Sequence, residues 1–185
     1  MVFSSLIFLF LFLVLNLTIY LFVKDKYKNI VLLVFSLIFY AWGGPKYLLL
    51  LVGETFASWF FALRIEKSEN DRGRKLYMAG ECVVLLGLLG YFKYAVFFLE
   101  NFQMLFGVPE VIPNIVLPIG ISFYTFQLLS YVVDVYRGEI HAQPAFWKLL
   151  LYSSLFHQCI AGPIVRYETV ANEIDNRKVS QTDIY

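Results

Sequence analysis

The residues whose types could do chemistry are ionisable side chains set inside long apolar runs: Glu54, Glu81, Lys93, Asp134, His157 and Arg166. A charge at membrane depth costs about 2.5–3.5 kcal/mol on insertion scales, so each of these needs a partner or a purpose. Asp134 and Arg137 stand i, i+3 on one helix face, close enough to pair either as a structural salt bridge or as the lining of a substrate path. Arg137 and His141 are likewise i, i+4. His157 is the alternative base by residue type, since imidazole suits proton transfer near neutrality. A lone histidine in an apolar run is more often a hydrogen-bonded structural group, and no serine, cysteine or carboxylate stands near it in a catalytic spacing. Lys93, in Gly90-Tyr91-Phe92-Lys93-Tyr94, has a stem that can snorkel to an interface between flanking tyrosines. Glu81 is within reach of water from its helix end, whereas Glu54 is deeper.

Other chemistries are missing from the pattern. There is no phosphate-binding glycine loop, zinc motif or nucleotide fingerprint, and no metal is called for. Cys82 and Cys159 lie in apolar stretches without ligand spacing and read as small hydrophobes, not as a disulfide. A formal net charge of +1 gives no reason for a nucleic-acid partner.

The elements that would position these side chains follow from the apolar runs. Hydrophobic residues make up 59% of the 185 and aromatic residues 19%, against about 45–50% apolar in an average soluble domain. The runs are continuous rather than periodic, so the fold class is all-α: a single polytopic helical unit in a lipid bilayer. The expected spans are 3–23, 30–42, 47–63, 76–99, 115–135 and 146–164, with Asn172 to Tyr185 an exposed tail. The first run has no basic residue before it and no small-x-small cleavage site, so it is expected to stay as a helix. Gly43-Gly44-Pro45 ends the second run, Arg64 to Lys75 is an exposed loop, and Glu100 to Pro113 reads as a loop or short interfacial element. Leu117-Pro118-Ile119-Gly120 and Ala161-Gly162-Pro163 interrupt apolar runs. Non-helical backbone at that depth is tolerated only beside protein or a water-filled cavity, which suggests a polar interior.

Six segments, in order, resemble the alginate O-acetyltransferase branch of the membrane-bound O-acyltransferase family: Met1-Val2-Phe3-Ser4-Ser5, Phe39-Tyr40-Ala41-Trp42, Gly90 to Tyr94, Leu117 to Tyr124, Ser130 to Gly138, and Ile160 to Tyr167. The resemblance covers nearly the whole chain but only the N-terminal portion of a family member. It implies a helical enzyme of the bacterial inner membrane with a funnel through the bilayer. No bound cofactor is implied. Acetyl-CoA or another acyl thioester would be the donor, and an exopolysaccharide such as alginate the acceptor. Implied partners are the rest of the enzyme or other exopolysaccharide-acetylation proteins. Tyr131, Asp134, Arg137, Gln158 and Arg166 become candidates for the funnel or substrate path. The family's essential histidine is expected beyond Tyr185, so no residue here inherits it and no catalytic residue is assigned. His157 stands where the family usually has proline. The resemblance further implies that this portion is inactive alone.

Two rival classes are a truncated, non-enzymatic membrane scaffold or assembly subunit of an exopolysaccharide system, and a small transporter lined by Glu54, Lys93 and Asp134. Transporters often carry paired internal repeats, and none is visible. The basic clusters at Lys24–Lys28, Arg64–Lys75 and Arg137 fall on one side if each run crosses once, which predicts a cytoplasmic location for all three. Single cysteines introduced as Lys26→Cys and Asn70→Cys should therefore react with an impermeant thiol reagent only from the cytoplasmic side, and Gln103→Cys only from outside. Labelling of the first two from outside would reverse the assignment.

Overall fold

Helix dominates the described residues. The structure is a computed structural model that describes residues 5–106, 115–158 and 164–176. Helix makes up 84% of it, and no strand occurs among the described residues. A π-helical stretch, Ile7–Phe12, runs into α1, Leu13–Phe22, followed by α2, Asp25–Gly43, and α3, Pro45–Lys67. The expected break between α2 and α3 is a single residue, Gly44. Its φ of +133° suits glycine, and Pro45 takes the first helical position, where a missing N–H forfeits no bond.

The expected loop Arg64 to Lys75 is mostly helix: only Ser68–Asn70 connects α3 to α4, Asp71–Phe106. The Asn70 side chain accepts the Arg72 N–H at 3.0 Å and so caps α4. At 36 residues α4 is about 54 Å long. It passes through Glu100 to Phe106, where a loop or short element was expected. Asn101 donates back to the Phe97 carbonyl at 2.7 Å, and the Phe102 and Phe106 rings, one turn apart, meet at 4.4 Å. The remainder of that expected loop lies outside the described residues, as do Cys159 and the Ala161-Gly162-Pro163 break.

The break at Leu117–Gly120 is present. Residues 115–118 are not helical, and Gly120, at φ +76°, starts α5, Ile121–Arg137. The apolar run 146–164 is not one helix: α6 covers Phe146–Ser154, and a 3-10 turn follows over Phe156–Gln158. The turn seats the Phe156 ring against Phe8, Phe12 and Phe39, with centroids 6.1, 5.5 and 5.8 Å away. Such edge and offset contacts are the favoured aromatic geometry. The last helix, α7, spans Tyr167–Asn176, which corrects the expectation of a tail from Asn172 to Tyr185 in its first part. The physical reason is an apolar face: Val170 and Ile174 are buried, and Asn29 Nδ2 donates to the Ile174 carbonyl at 2.6 Å. The rest of that expected tail, through Tyr185, lies outside the described residues.

Two apolar cores result. One gathers Ala62, Leu85, Leu128, Val132, Leu149 and Leu151 from α3 to α6. The other is the aromatic cluster near the α2–α3 turn, joined by Tyr40 and Tyr124. Polar groups share the interior with these cores, and many large apolar side chains face outward. Glu54, Thr55, Ser58, Glu81 and Thr125 are buried, while Leu21, Phe22, Leu49 and Val83 face outward at more than two-thirds exposure. α3 and α4 are each long and apolar enough to cross a membrane. Leu128→Ala, at a fully buried position, is expected to destabilise the protein by about 2–5 kcal/mol. Leu21→Ala, at an outward one, should stay within about 0.5 kcal/mol. Denaturant titration of both variants in the same detergent checks the contrast.

Candidate functional site

Gln127, Tyr131 and Asp134 recur at helical spacing and form one stripe of α5. The stripe faces the segment between α5 and α6 and the chain that follows α6. At its inner end Gln127 Nε2 donates to Gln158 Oε1 at 3.1 Å. One turn on, the fully buried Tyr131 hydroxyl accepts the Gln143 backbone N–H at 2.9 Å, and Gln143 Nε2 donates to the Tyr167 hydroxyl at 2.7 Å. The Tyr167 ring packs edge-on against Tyr131 and Tyr152 at 5.1 and 5.2 Å, while the Tyr152 hydroxyl donates to the Val165 carbonyl at 2.7 Å. These bonds fix the length of chain that carries Arg166.

At the outer end of the stripe, Arg166 Nη2 donates to Asp134 Oδ1 and to Glu139 Oε2, the latter at 2.9 Å. Asp134 is 1% exposed, whereas the Arg166 side chain is about half exposed. The hydrogen bond that Asp134 accepts, its charge and then Glu139 hold the guanidinium above its ordinary value. The expected i, i+3 pair of Asp134 with Arg137 is therefore replaced by a pair from another segment. Arg137 points outward, with Nη1 3.7 Å from Glu139 Oε1. His141 does not pair with Arg137 either: its Nδ1 lies 2.8 Å from Glu66 Oε1. Glu139 was not singled out from the sequence, yet it bridges both arginines. The signal for it was Gly138. At φ +76° this glycine ends α5 in the left-handed conformation and turns the chain back, so that the Glu139 N–H bonds the Asp134 carbonyl at 3.0 Å.

Of the sequence candidates, the fold thus brings Tyr131, Asp134, Gln158 and Arg166 along one helix face and leaves Arg137 at its solvent edge. His157 stands apart, its ring stacked on Phe156 at 3.8 Å. No ion pair or hydrogen bond to it is found among the described residues. Glu81, expected within reach of water, is fully buried. Lys93 is exposed over the Tyr94 ring at 5.4 Å, the geometry of a snorkelling side chain. Beside the charged end of the stripe lies an open cleft of about 370 Å³ lined by Glu139, His141, Gln143, Tyr167 and Glu168.

A helix bundle with apolar side chains outside and a hydrogen-bonded polar stripe inside defines the class. Known proteins of similar sequence give its relatives. The chain is 40% identical over 182 residues to the probable alginate O-acetylase AlgI of Pseudomonas aeruginosa and 38% identical over 182 residues to that of Azotobacter vinelandii; each match covers 96% of this chain, and 35% and 36% of the relatives respectively. It is 31% identical over 166 residues to a peptidoglycan O-acetyltransferase of Helicobacter pylori, covering 77% of this chain and 32% of that protein. No protein-family model matches the sequence, and no solved structure does. The chain is a homologue of the alginate O-acetylases over nearly all of its length, as its motifs indicate, and it spans about one third of the length of those relatives. Most of each relative's length therefore has no counterpart among Met1 to Tyr185.

The ion pair predicts a specific mutational pattern. Arg166→Ala strands a buried carboxylate at Asp134, so it should destabilise the protein more than the double variant Asp134→Asn/Arg166→Ala, which removes the stranded charge as well. Arg137→Ala, on a solvent-exposed pair, should cost less than about 1 kcal/mol. Unfolding of the three variants under one set of conditions distinguishes this pattern from simple additivity.

Proposed function

We propose that the chain is the N-terminal, multi-pass membrane portion of a bacterial inner-membrane O-acyltransferase that moves an acetyl group from a cytoplasmic thioester, acetyl-CoA, to an exopolysaccharide such as alginate. The carrying observation is the homology to alginate O-acetylases across 96% of the chain. The outward apolar faces of α1 to α4 and the buried carboxylates support a lipid setting, where charged groups face the bundle interior.

In this reading the α5 stripe forms part of a funnel wall. Attack on a thioester needs a base and a stabilised oxyanion. In this reading those groups are supplied by the part of the family enzyme that the match does not cover, and the portion spanned here is expected to be inactive alone. Its contribution is placement: the Asp134–Arg166–Glu139 network fixes the approach to α7 at Arg166 against α5.

The test is to graft residues 1–185 in place of the matching stretch of the Pseudomonas aeruginosa relative and to follow acetylation of polysaccharide in cells lacking that relative. The graft is expected to restore acetylation, and the 185-residue chain by itself to give none. Arg166→Ala within the graft should lower transfer by about 100-fold, the scale of a small misplacement near the reacting groups. A well-folded graft without activity would remove the acyltransferase reading, whereas activity from the chain alone would remove the claim that it is incomplete.

A further inference from the structure

Glu54 and Glu81 take no part in the stripe, yet they are among the most deeply buried ionisable groups in the bundle. Glu54 Oε2 accepts a hydrogen bond from Thr125 of α5 at 2.9 Å. Glu81, on α4, accepts one from Ser58 of α3. Ser58 follows Glu54 by one turn on the same face of α3, so the second carboxyl group lies about a turn from the first. The Thr55 and Ser153 hydroxyls, 2.8 Å apart, extend this polar layer to α6. The other oxygen of each acid, Glu54 Oε1 and Glu81 Oε2, is buried without a partner among the described residues. The two residues are 1% and 0% exposed, which leaves no path for a solvated ion.

Two ionised carboxylates here would each forfeit hydration and would repel one another. No described cation offsets them. On α3, Arg64 lies over the Phe60 ring; on α4, Arg74 donates to the Tyr136 carbonyl and Lys93 lies over Tyr94. On α2, Lys28 pairs with Asp25 at the far end of the helix; on α6, Lys148 lies over Trp147. On α5 the charged groups are Asp134 and Arg137, already held by Arg166 and Glu139. The remaining titratable groups on these helices near the layer, Tyr40, Cys82, Tyr124, Tyr131 and Tyr152, cannot carry positive charge.

We propose that Glu54 and Glu81 form a proton-binding pair. Both are neutral carboxylic acids in the folded protein, each with its proton on the unpartnered oxygen and its other oxygen accepting a hydroxyl, and together they clamp α3, α4 and α5. The ligand is the proton, not a metal ion, and the clamp is independent of the acyltransferase reading.

Infrared spectra of the full chain in lipid vesicles at neutral pH test this. The carbonyl absorption of a protonated carboxylic acid should be present, reduced in Glu54→Gln and in Glu81→Gln, and lost in the double variant. Thr125→Val and Ser58→Ala, which keep the acids but remove the hydrogen bonds, should shift the absorption rather than abolish it, and they serve where a glutamine variant fails to fold. Because the folded state would hold protons that the unfolded chain in water releases, stability should fall as pH rises, and the double variant should lose that slope. Absence of the acid absorption from folded protein would overturn the proposal. So would stabilisation by sodium or potassium that the double variant abolishes, since the occupant would then be a cation.

Discussion

Polar groups buried between helices find partners on neighbouring elements, and those pairings set the register of α3, α4, α5 and α6. Thr125 to Glu54, Ser58 to Glu81, Thr55 with Ser153, and Arg166 to Asp134 all join different elements. Sliding α5 by one turn against α3 would break the first and carry Asp134 away from Arg166, leaving buried carboxylates without their partners. Apolar packing alone tolerates such slips more readily, because one leucine fills a gap much as another does. The bundle is therefore specified by its few polar contacts and given its cohesion by the two apolar cores around them.

Glycine and aromatic residues supply the complementary control at the ends. Gly44, Gly120 and Gly138 all have positive φ, and each stands where one helix stops or the next begins. Gly138 has the most direct bearing on the site, because the left-handed turn brings Glu139 back beneath α5 to share Arg166 with Asp134. At the other end of the bundle the Phe8, Phe12, Phe39 and Phe156 rings interlock, and α6 ends early so that Phe156 can join them.

This division explains what was legible in the sequence. The helical character, the Gly44-Pro45 turn and the break before α5 are local: apolar run length and the backbone needs of glycine and proline are visible within a few residues. The unusual status of Glu54, Asp134 and Arg166 was visible too, because an ionisable residue in an apolar run stands out. Their partners were not. Sequence spacing offers Asp134 only its own helix, hence Arg137, whereas the guanidinium that reaches it comes from beyond α6. The same limit hid the burial of Glu81, since distance from a helix end says nothing about which neighbouring helix covers that end. α4 outran its expected stop because Glu100, Asn101 and Gln103 are polar without being helix breakers, and Asn101 bonds within the helix.

The charge arithmetic of the site also limits what it can do. Asp134 and Glu139 supply two negative charges, Arg137 and Arg166 two positive ones, so the cluster is neutral as a unit. Arg166 already holds two carboxylates through Nη2, so an anion approaching that nitrogen would have to displace Glu139 first. Arg137, tethered at 3.7 Å and facing solvent, keeps donors to spare. An anion approaching this end of the bundle would therefore meet Arg137, while the Asp134–Arg166 pair behind it holds the backbone in place. The contacts that sequence spacing had placed in one Asp134–Arg137 pair are in the fold divided between two arginines that Glu139 ties together.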